Sequence, residues 1–128
     1  MHRGYLKTAS FLGALAVVLG AFAAHKLKQI LTADALGVFE TGVRYQFYHV
    51  FALALTAVVY KEYPNKMISY AGALFITGII LFSGSLYLLT YLNTIGVSVP
   101  VAVGILTPIG GIFFICGWLC LSLGITYK

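Results

Sequence analysis

Apolar residues run along this chain in long stretches, and the polar residues between them concentrate at residues 25–49 and 60–66. Residues 67–127 carry no charged side chain at all. A soluble domain needs charged side chains on its surface to stay in solution. The pattern therefore predicts an integral membrane protein, and it places any ionic chemistry in the first half of the chain.

Four stretches are long and apolar enough to cross a bilayer. A span needs about 20 residues to cross ~30 Å of hydrocarbon, and its backbone groups must be satisfied within the segment, which requires a helix. We therefore predict an all-α, polytopic membrane protein with one domain over residues 1–128. The predicted transmembrane helices are residues 8–27, 41–60, 67–91 and 104–126.

The polar block between the first two spans predicts one further helix. Thr32 is placed to cap a helix, and Asp34 would lie in its first turn, where negative charge is stabilising. Apolar residues then recur at helical spacing: Leu36, Phe39, Val43, Phe47 and Val50. This stripe predicts a short interfacial amphipathic helix over residues 33–44, which either turns into the second span or continues as it.

Composition and charge agree with a membrane protein. Hydrophobic residues make up 61% of the chain and charged residues 9%, against roughly 45–50% and 25% in soluble domains. The net charge of +5 would favour nucleic-acid binding in a soluble protein. Here the basic residues are scattered over short loops and ends, so we predict membrane lipids as partners and no nucleic acid.

The basic residues also predict an orientation. Four spans place both ends of the chain on one side, which would carry five basic residues: Arg3, Lys7, Lys61, Lys66 and Lys128. The other side would carry three: Lys26, Lys28 and Arg44. The excess predicts cytoplasmic termini. Residues 21–23 also resemble a signal-peptidase site, so cleavage after the first span is the rival interpretation.

Polar side chains converge in the half of the membrane opposite the termini. Glu40, Arg44 and Tyr48 follow each other at four-residue spacing, and so do Tyr45 and His49. Arg44 would lie at the hydrocarbon edge, where it is costly unless it pairs or snorkels, and Glu40 is its expected partner. The other spans add polar groups that we place at the same level: His25, Ser83, Ser85, Tyr87 and Thr107.

This polar group has two interpretations. It is either structural, because Ser and Thr often bond their own helix and Tyr and His often anchor at interfaces, or it is a binding site or polar pathway. His25 and His49 are candidate axial haem ligands if they lie at similar depth. No third ligand is spaced for a metal site, and no catalytic motif is present, so we predict no enzyme, metal or cofactor.

The two cysteines and the small residues of the spans say less about function than the polar group does. Cys116 and Cys120 match no metal or redox spacing and are interpreted as small core residues, with a redox or metal role as the alternative. Small residues mark helix contact faces in membranes. They line the first span and the fourth: Gly13, Ala16, Gly20, Ala24, Gly110, Gly111 and Gly117. These faces serve either the internal bundle or an oligomer.

Four motifs resemble the YgdD/YwdK-like family of small bacterial inner-membrane proteins. They are residues 20–27 (GAFAAHKL), 45–49 (YQFYH), 81–87 (LFSGSLY) and 107–111 (TPIGG), the last followed by Gly117 and Trp118. Ala23 departs from the family, which commonly has Gly there. The resemblance implies a four-helix bundle in a bacterial inner membrane and supplies no activity. It also adds Gln46 to the candidate pocket, because Gln46 is a motif position.

Three functions remain as hypotheses. The first is a non-enzymatic helix bundle that packs with itself or with other membrane proteins. The second is a channel, a transporter, or a module that binds lipid or a small molecule in the polar pocket. The third is a haem or redox protein.

Overall fold

The computed structural model describes residues 1–126, which form four long helices joined by short turns. Helix α1 spans Arg3–Ile30, α2 spans Ala33–Val59, α3 spans Lys66–Thr94 and α4 spans Val101–Thr126. The all-α prediction is confirmed. Lys128, counted above among the basic residues of one side, lies outside the described residues, as does Tyr127 at the end of the uncharged run.

Polar side chains cap the starts of the first three helices. Thr32 accepts a hydrogen bond from the Ala35 N–H at 3.2 Å, which confirms the predicted cap of α2. Asn65 does the same for α3, with the Ile68 N–H at 3.2 Å. At α1 the acceptor is the His2 ring. Each cap satisfies one of the N–H groups that a helix start leaves without an intrahelical partner.

Residues 33–44 form the first part of α2 and not a separate helix, which is the second of the two predicted alternatives. Helix α2 runs without a break from Ala33 to Val59. The apolar stripe of the sequence continues from the first half of α2 into the second, and Phe39, Val43 and Val50 are all buried. One continuous helix therefore buries the whole stripe, so the polar block continues as the second long helix.

Three of the four helices, α1, α3 and α4, are long and apolar enough to cross a membrane. Helix α2 has 27 residues, a comparable length. Its first half carries charged and amide side chains, including Glu40, Arg44 and Gln46, which lower its hydropathy. The fourth span therefore remains a prediction, although the helix that would form it is present.

Successive helices run antiparallel. On α1, Gly13 faces Val50 and Gly20 faces Val43, so the numbering rises along α1 as it falls along α2. On α4, Gly110 lies against Phe82 and Gly124 lies against Ile68, the same relation between α4 and α3. The core between the helices is built on three apolar side chains without solvent exposure: Leu53, Ile68 and Phe75.

Glycine allows α3 and α4 to approach closely. A Cβ placed on Gly110 would lie 2.8 Å from the Cα of Phe82, and one on Gly117 would lie 2.7 Å from the Phe75 ring. Gly78 meets the Phe114 ring in the same way. Close backbone approach increases van der Waals contact, the main attraction between helices in lipid. These glycines therefore serve the internal bundle.

Helices α1 and α3 each contain one wide turn of π-helix, at Ala23–Leu27 and at Ile79–Ser83. The two helices touch near their starts, where the Tyr5 hydroxyl donates to the Ser69 carbonyl at 2.7 Å. Beyond the π-turns a groove opens between them. Single π-turns of this kind are frequent at functional sites.

Candidate functional site

Gln46 lies at the centre of the polar side chains and joins three helices. Its amide nitrogen donates to the Leu12 carbonyl of α1 at 2.8 Å. Its amide oxygen accepts from the Tyr87 hydroxyl of α3 at 2.7 Å. Gln46 is only 2% exposed. A buried amide needs both kinds of partner, and α1 and α3 each supply one.

His49 lies one turn further along α2 and connects it to α4. Its Nδ1 lies 2.8 Å from the Tyr45 carbonyl, and its Nε2 accepts from the Trp118 indole N–H at 3.2 Å. A carbonyl only accepts and an indole only donates. This pattern assigns the neutral imidazole with its proton on Nδ1. The ring also stacks on Phe114, with centroids 3.5 Å apart.

Two serines of α3 complete the polar contacts. The Ser83 hydroxyl donates to the Gly42 carbonyl of α2 at 2.6 Å. The Ser85 hydroxyl lies 2.8 Å from the Phe82 carbonyl and 2.6 Å from the Thr107 hydroxyl of α4. Because the carbonyl can only accept, Ser85 donates to Phe82 and accepts from Thr107. These bonds fix α3 against both of its neighbours.

Together these groups form what we call the polar network: Gln46, His49, Ser83, Ser85, Tyr87, Thr107 and Trp118. It links all four helices. Across residues 1–126, no buried side-chain nitrogen or oxygen lacks a hydrogen-bond partner. Each of these side chains is engaged with another part of the bundle, so the network is suited to holding helices together.

The charged ladder of the sequence lies outside the network. Glu40, Arg44 and Tyr48 are exposed on the outer face of α2. Within the described part of the chain no ion pair joins Glu40 to Arg44, so the expected pairing was wrong. Both side chains reach the surface, and neither therefore needs a partner to avoid a buried charge. Tyr45 is also exposed and packs its ring on Phe82.

His25 lies far from the network, which contradicts its placement at the depth of His49. Because Gly13 faces Val50 and Gly20 faces Val43, His49 lies level with about residue 14 of α1. At 1.5 Å per residue, His25 is then roughly 16 Å further along the helix. His25 is exposed, whereas both nitrogens of His49 are already bonded. The two histidines are not arranged as a pair of axial ligands.

The sequence indicated most side chains of the polar network, but it did not indicate the groups to which they bond. Trp118 was visible in the sequence only as part of the last motif of the family resemblance. The Leu12 and Gly42 carbonyls gave no signal, because every residue has a carbonyl. Over residues 1–126 there is also no group of three or more His, Cys, Asp or Glu side chains that could hold a metal ion.

Comparison with known proteins gives the family. Residues 19–111 match the family described as a protein of unknown function (DUF423). A UPF0382 membrane protein of Haemophilus influenzae is 39% identical over 124 residues, covering 97% of this chain and 94% of that protein. No solved structure matches.

Two further relatives are YwdK and YgdD, the proteins after which the family named in the sequence analysis is called. The UPF0382 membrane protein YwdK of Bacillus subtilis is 40% identical over 106 residues, with 82% of this chain and 81% of the relative covered. The inner membrane protein YgdD of Escherichia coli is 33% identical over 116 residues, with 91% and 84% covered. The chain therefore belongs to the UPF0382 (DUF423) family of membrane proteins.

Proposed function

We propose that this protein is a non-enzymatic membrane helix bundle that acts by packing, through the outer face of α1, with a second copy or with another membrane protein. The carrying observation is that the polar network is bonded within the bundle. Its side chains stabilise the fold, and across residues 1–126 every buried side-chain nitrogen and oxygen already has at least one partner. What remains for recognition is the outer surface.

Helix α1 has small residues on two faces. The inner face is buried within the bundle, since Ala9, Ala16 and Ala23 are each no more than 2% exposed. The outer face carries a second row, spaced alternately four and three residues apart, in which every residue is exposed: Ser10, Ala14, Val17, Ala21 and Ala24. This heptad-like spacing is typical of helices packed at a shallow crossing angle, and small residues allow close approach.

A groove beside this outer face supports the proposal. It has a volume of about 330 Å³ and lies between α1 and α2, lined among others by Gly13, Val17, Phe47 and Phe51. Side chains of a neighbouring helix would fill it. Helix α4 exposes large apolar side chains such as Ile112, Ile115 and Leu119, as expected of a surface that faces acyl chains, and α1 does so beside the row, at Phe11 and Val18 among others.

The experiment compares two exposed positions by substitution with tryptophan. Ala14→Trp places a bulky ring in the small-residue row, and Ile115→Trp places the same ring on α4. The full chain is solubilised in mild detergent and its mass is measured by native mass spectrometry, together with any protein that co-purifies. We expect the wild type and Ile115→Trp to retain an oligomer or a partner, and Ala14→Trp to lose it.

A wild-type protein that is strictly monomeric and carries no partner would refute packing as the function. Equal loss with Ala14→Trp and Ile115→Trp would refute the assignment to α1. Neither substitution touches a buried residue, so the thermal unfolding of both variants should match that of the wild type.

A further inference from the structure

The groove between α1 and α3 is a second, separate feature of the surface. It has a volume of about 280 Å³ and opens beyond the two π-turns. Its lining includes Phe22, Leu27 and Ile30 of α1, Phe39 of α2 and Tyr91 of α3. The volume is just under the roughly 300–1,000 Å³ of small-molecule pockets. A volume of this size can hold part of a single extended hydrocarbon chain.

Three of the four hydroxyl groups in this lining are already bonded. The Tyr87 hydroxyl donates to Gln46, Thr90 donates to the Leu86 carbonyl and Thr94 donates to the Thr90 carbonyl. The fourth belongs to Tyr91, which is 61% exposed and makes no hydrogen bond within residues 1–126. The rest of the groove therefore presents hydrocarbon and ring surface. In a membrane protein the matching occupant is an acyl chain, because a polar ligand would lose hydrogen bonds to water on entering.

One end of the groove continues into a polar recess of about 190 Å³. The two share Ile30 and Thr94, and the recess adds Thr32 and Asn93. The Asn93 side chain makes no hydrogen bond within residues 1–126, and its amide offers both donors and an acceptor. An apolar groove that runs into a polar recess has the layout of a lipid, with a tail and a headgroup.

The charge around this site is positive. Phe22, Lys26 and Ile30 are each four residues apart, so Lys26 lies on the same side of α1 as two groove residues. Lys28 follows two residues later, and both lysines are exposed without an ion pair in the described part of the chain. The nearest carboxylate along the chain is Asp34, in the first turn of α2. The two positive charges of the lysines therefore exceed the single negative charge of Asp34.

We propose that this site binds one phospholipid with an anionic headgroup. One acyl chain lies in the groove, the headgroup lies at the recess near Asn93, and Lys26 and Lys28 attract its negative charge. The site does not rest on the proposed packing function, because its groove lies between α1 and α3, whereas the small-residue row borders the groove between α1 and α2.

The test uses native mass spectrometry of the full chain in detergent micelles. Phosphatidylglycerol and phosphatidylcholine with identical acyl chains are titrated, and the fraction of protein with one lipid bound is measured. We expect the wild type to bind phosphatidylglycerol at least fivefold more tightly. Lys26→Gln should reduce that preference about fivefold, the usual effect of one basic residue near an anionic surface.

Two controls make the result specific. Lys61→Gln makes the same charge change at the opposite end of the bundle and should keep the preference. Thr94→Trp fills the groove and should weaken both lipids, whereas Ile80→Trp, on an exposed face of the same helix, should weaken neither. Equal affinity of the wild type for the two lipids, an equal loss with Lys61→Gln, or unchanged binding by Thr94→Trp would each overturn the proposal.

Discussion

The Trp118 indole N–H donates to Nε2 of His49 at 3.2 Å, across the boundary between α4 and α2. His49 is 5% exposed, whereas Trp118 is 44% exposed. The buried ring thus depends on a donor that reaches inward from the surface. This bond, with the one from Nδ1 to the Tyr45 carbonyl, leaves the imidazole with no free nitrogen.

Replacing Trp118 by Phe should destabilise the bundle. The variant keeps an aromatic ring but leaves Nε2 of His49 buried without a donor, which costs about 1–3 kcal/mol. Tyr48→Phe is the matched control, since it removes an exposed hydroxyl and should be neutral within about 0.5 kcal/mol. Thermal unfolding in detergent, followed by circular dichroism, measures both. Equal stability of the two variants would contradict the role given to Trp118.

Gln46→Leu should cost more than Tyr87→Phe. The first removes two interhelical bonds and leaves the Tyr87 hydroxyl without its acceptor, whereas the second removes one bond. Interhelical hydrogen bonds in membranes contribute about 1 kcal/mol each, so we expect the two losses to differ by about that amount. The comparison uses equilibrium unfolding in mixed micelles. If Gln46→Leu were as stable as the wild type, the amide would not hold three helices together.

Gly110→Ala should destabilise the protein while Gly104→Ala does not. A methyl group on Gly110 meets the backbone of Phe82, which cannot rotate away, and such overpacking typically costs about 1–3 kcal/mol. Nothing lies within 4 Å of the Cβ position on Gly104. Both glycines lie in α4, so the loss of helix-destabilising glycine is common to the two variants. The difference between their unfolding midpoints isolates the contact with α3.

Neutralising Glu40 and Arg44 should leave stability almost unchanged. Both side chains are exposed, and no ion pair between them is present in the described residues. We expect Glu40→Gln and Arg44→Gln each to change the free energy of unfolding by less than about 0.5 kcal/mol. A double-mutant cycle should show no coupling. Coupling well above that value would mean that the two charges do pair in the membrane.

The helices were predictable because their signals are local and repeated. The uncharged run, the recurring apolar residues and the cap at Thr32 each depend on neighbours in sequence. Composition left open whether residues 33–44 turn into the second span or continue as it, because a change from polar to apolar residues does not by itself mark a boundary. The backbone of α2 needs no boundary there, since the stripe that contains Phe39, Val43 and Val50 is continuous.

The polar network was only half predictable, since side-chain chemistry was visible and geometry was not. Gln46, His49, Ser83 and Ser85 lie on inner faces, but Glu40 and Arg44 share the same helix and point outward. Which face of α2 is buried depends on where α1 and α3 dock. His25 was misplaced for a related reason, because its depth follows from the register between α1 and α2 and not from its distance from the chain terminus.

The partners of α2 also set an order of assembly during synthesis. Gln46 finds its first acceptor, the Leu12 carbonyl, on a helix that has already been made. Its second partner, Tyr87, is made 41 residues later, and His49 must wait 69 residues for Trp118. Helix α2 therefore reaches its final burial only when α4, which is made after the other three described helices, has docked. A chain that ends before α4 therefore leaves the side of α2 that carries His49 without the Phe114 ring and the Trp118 donor.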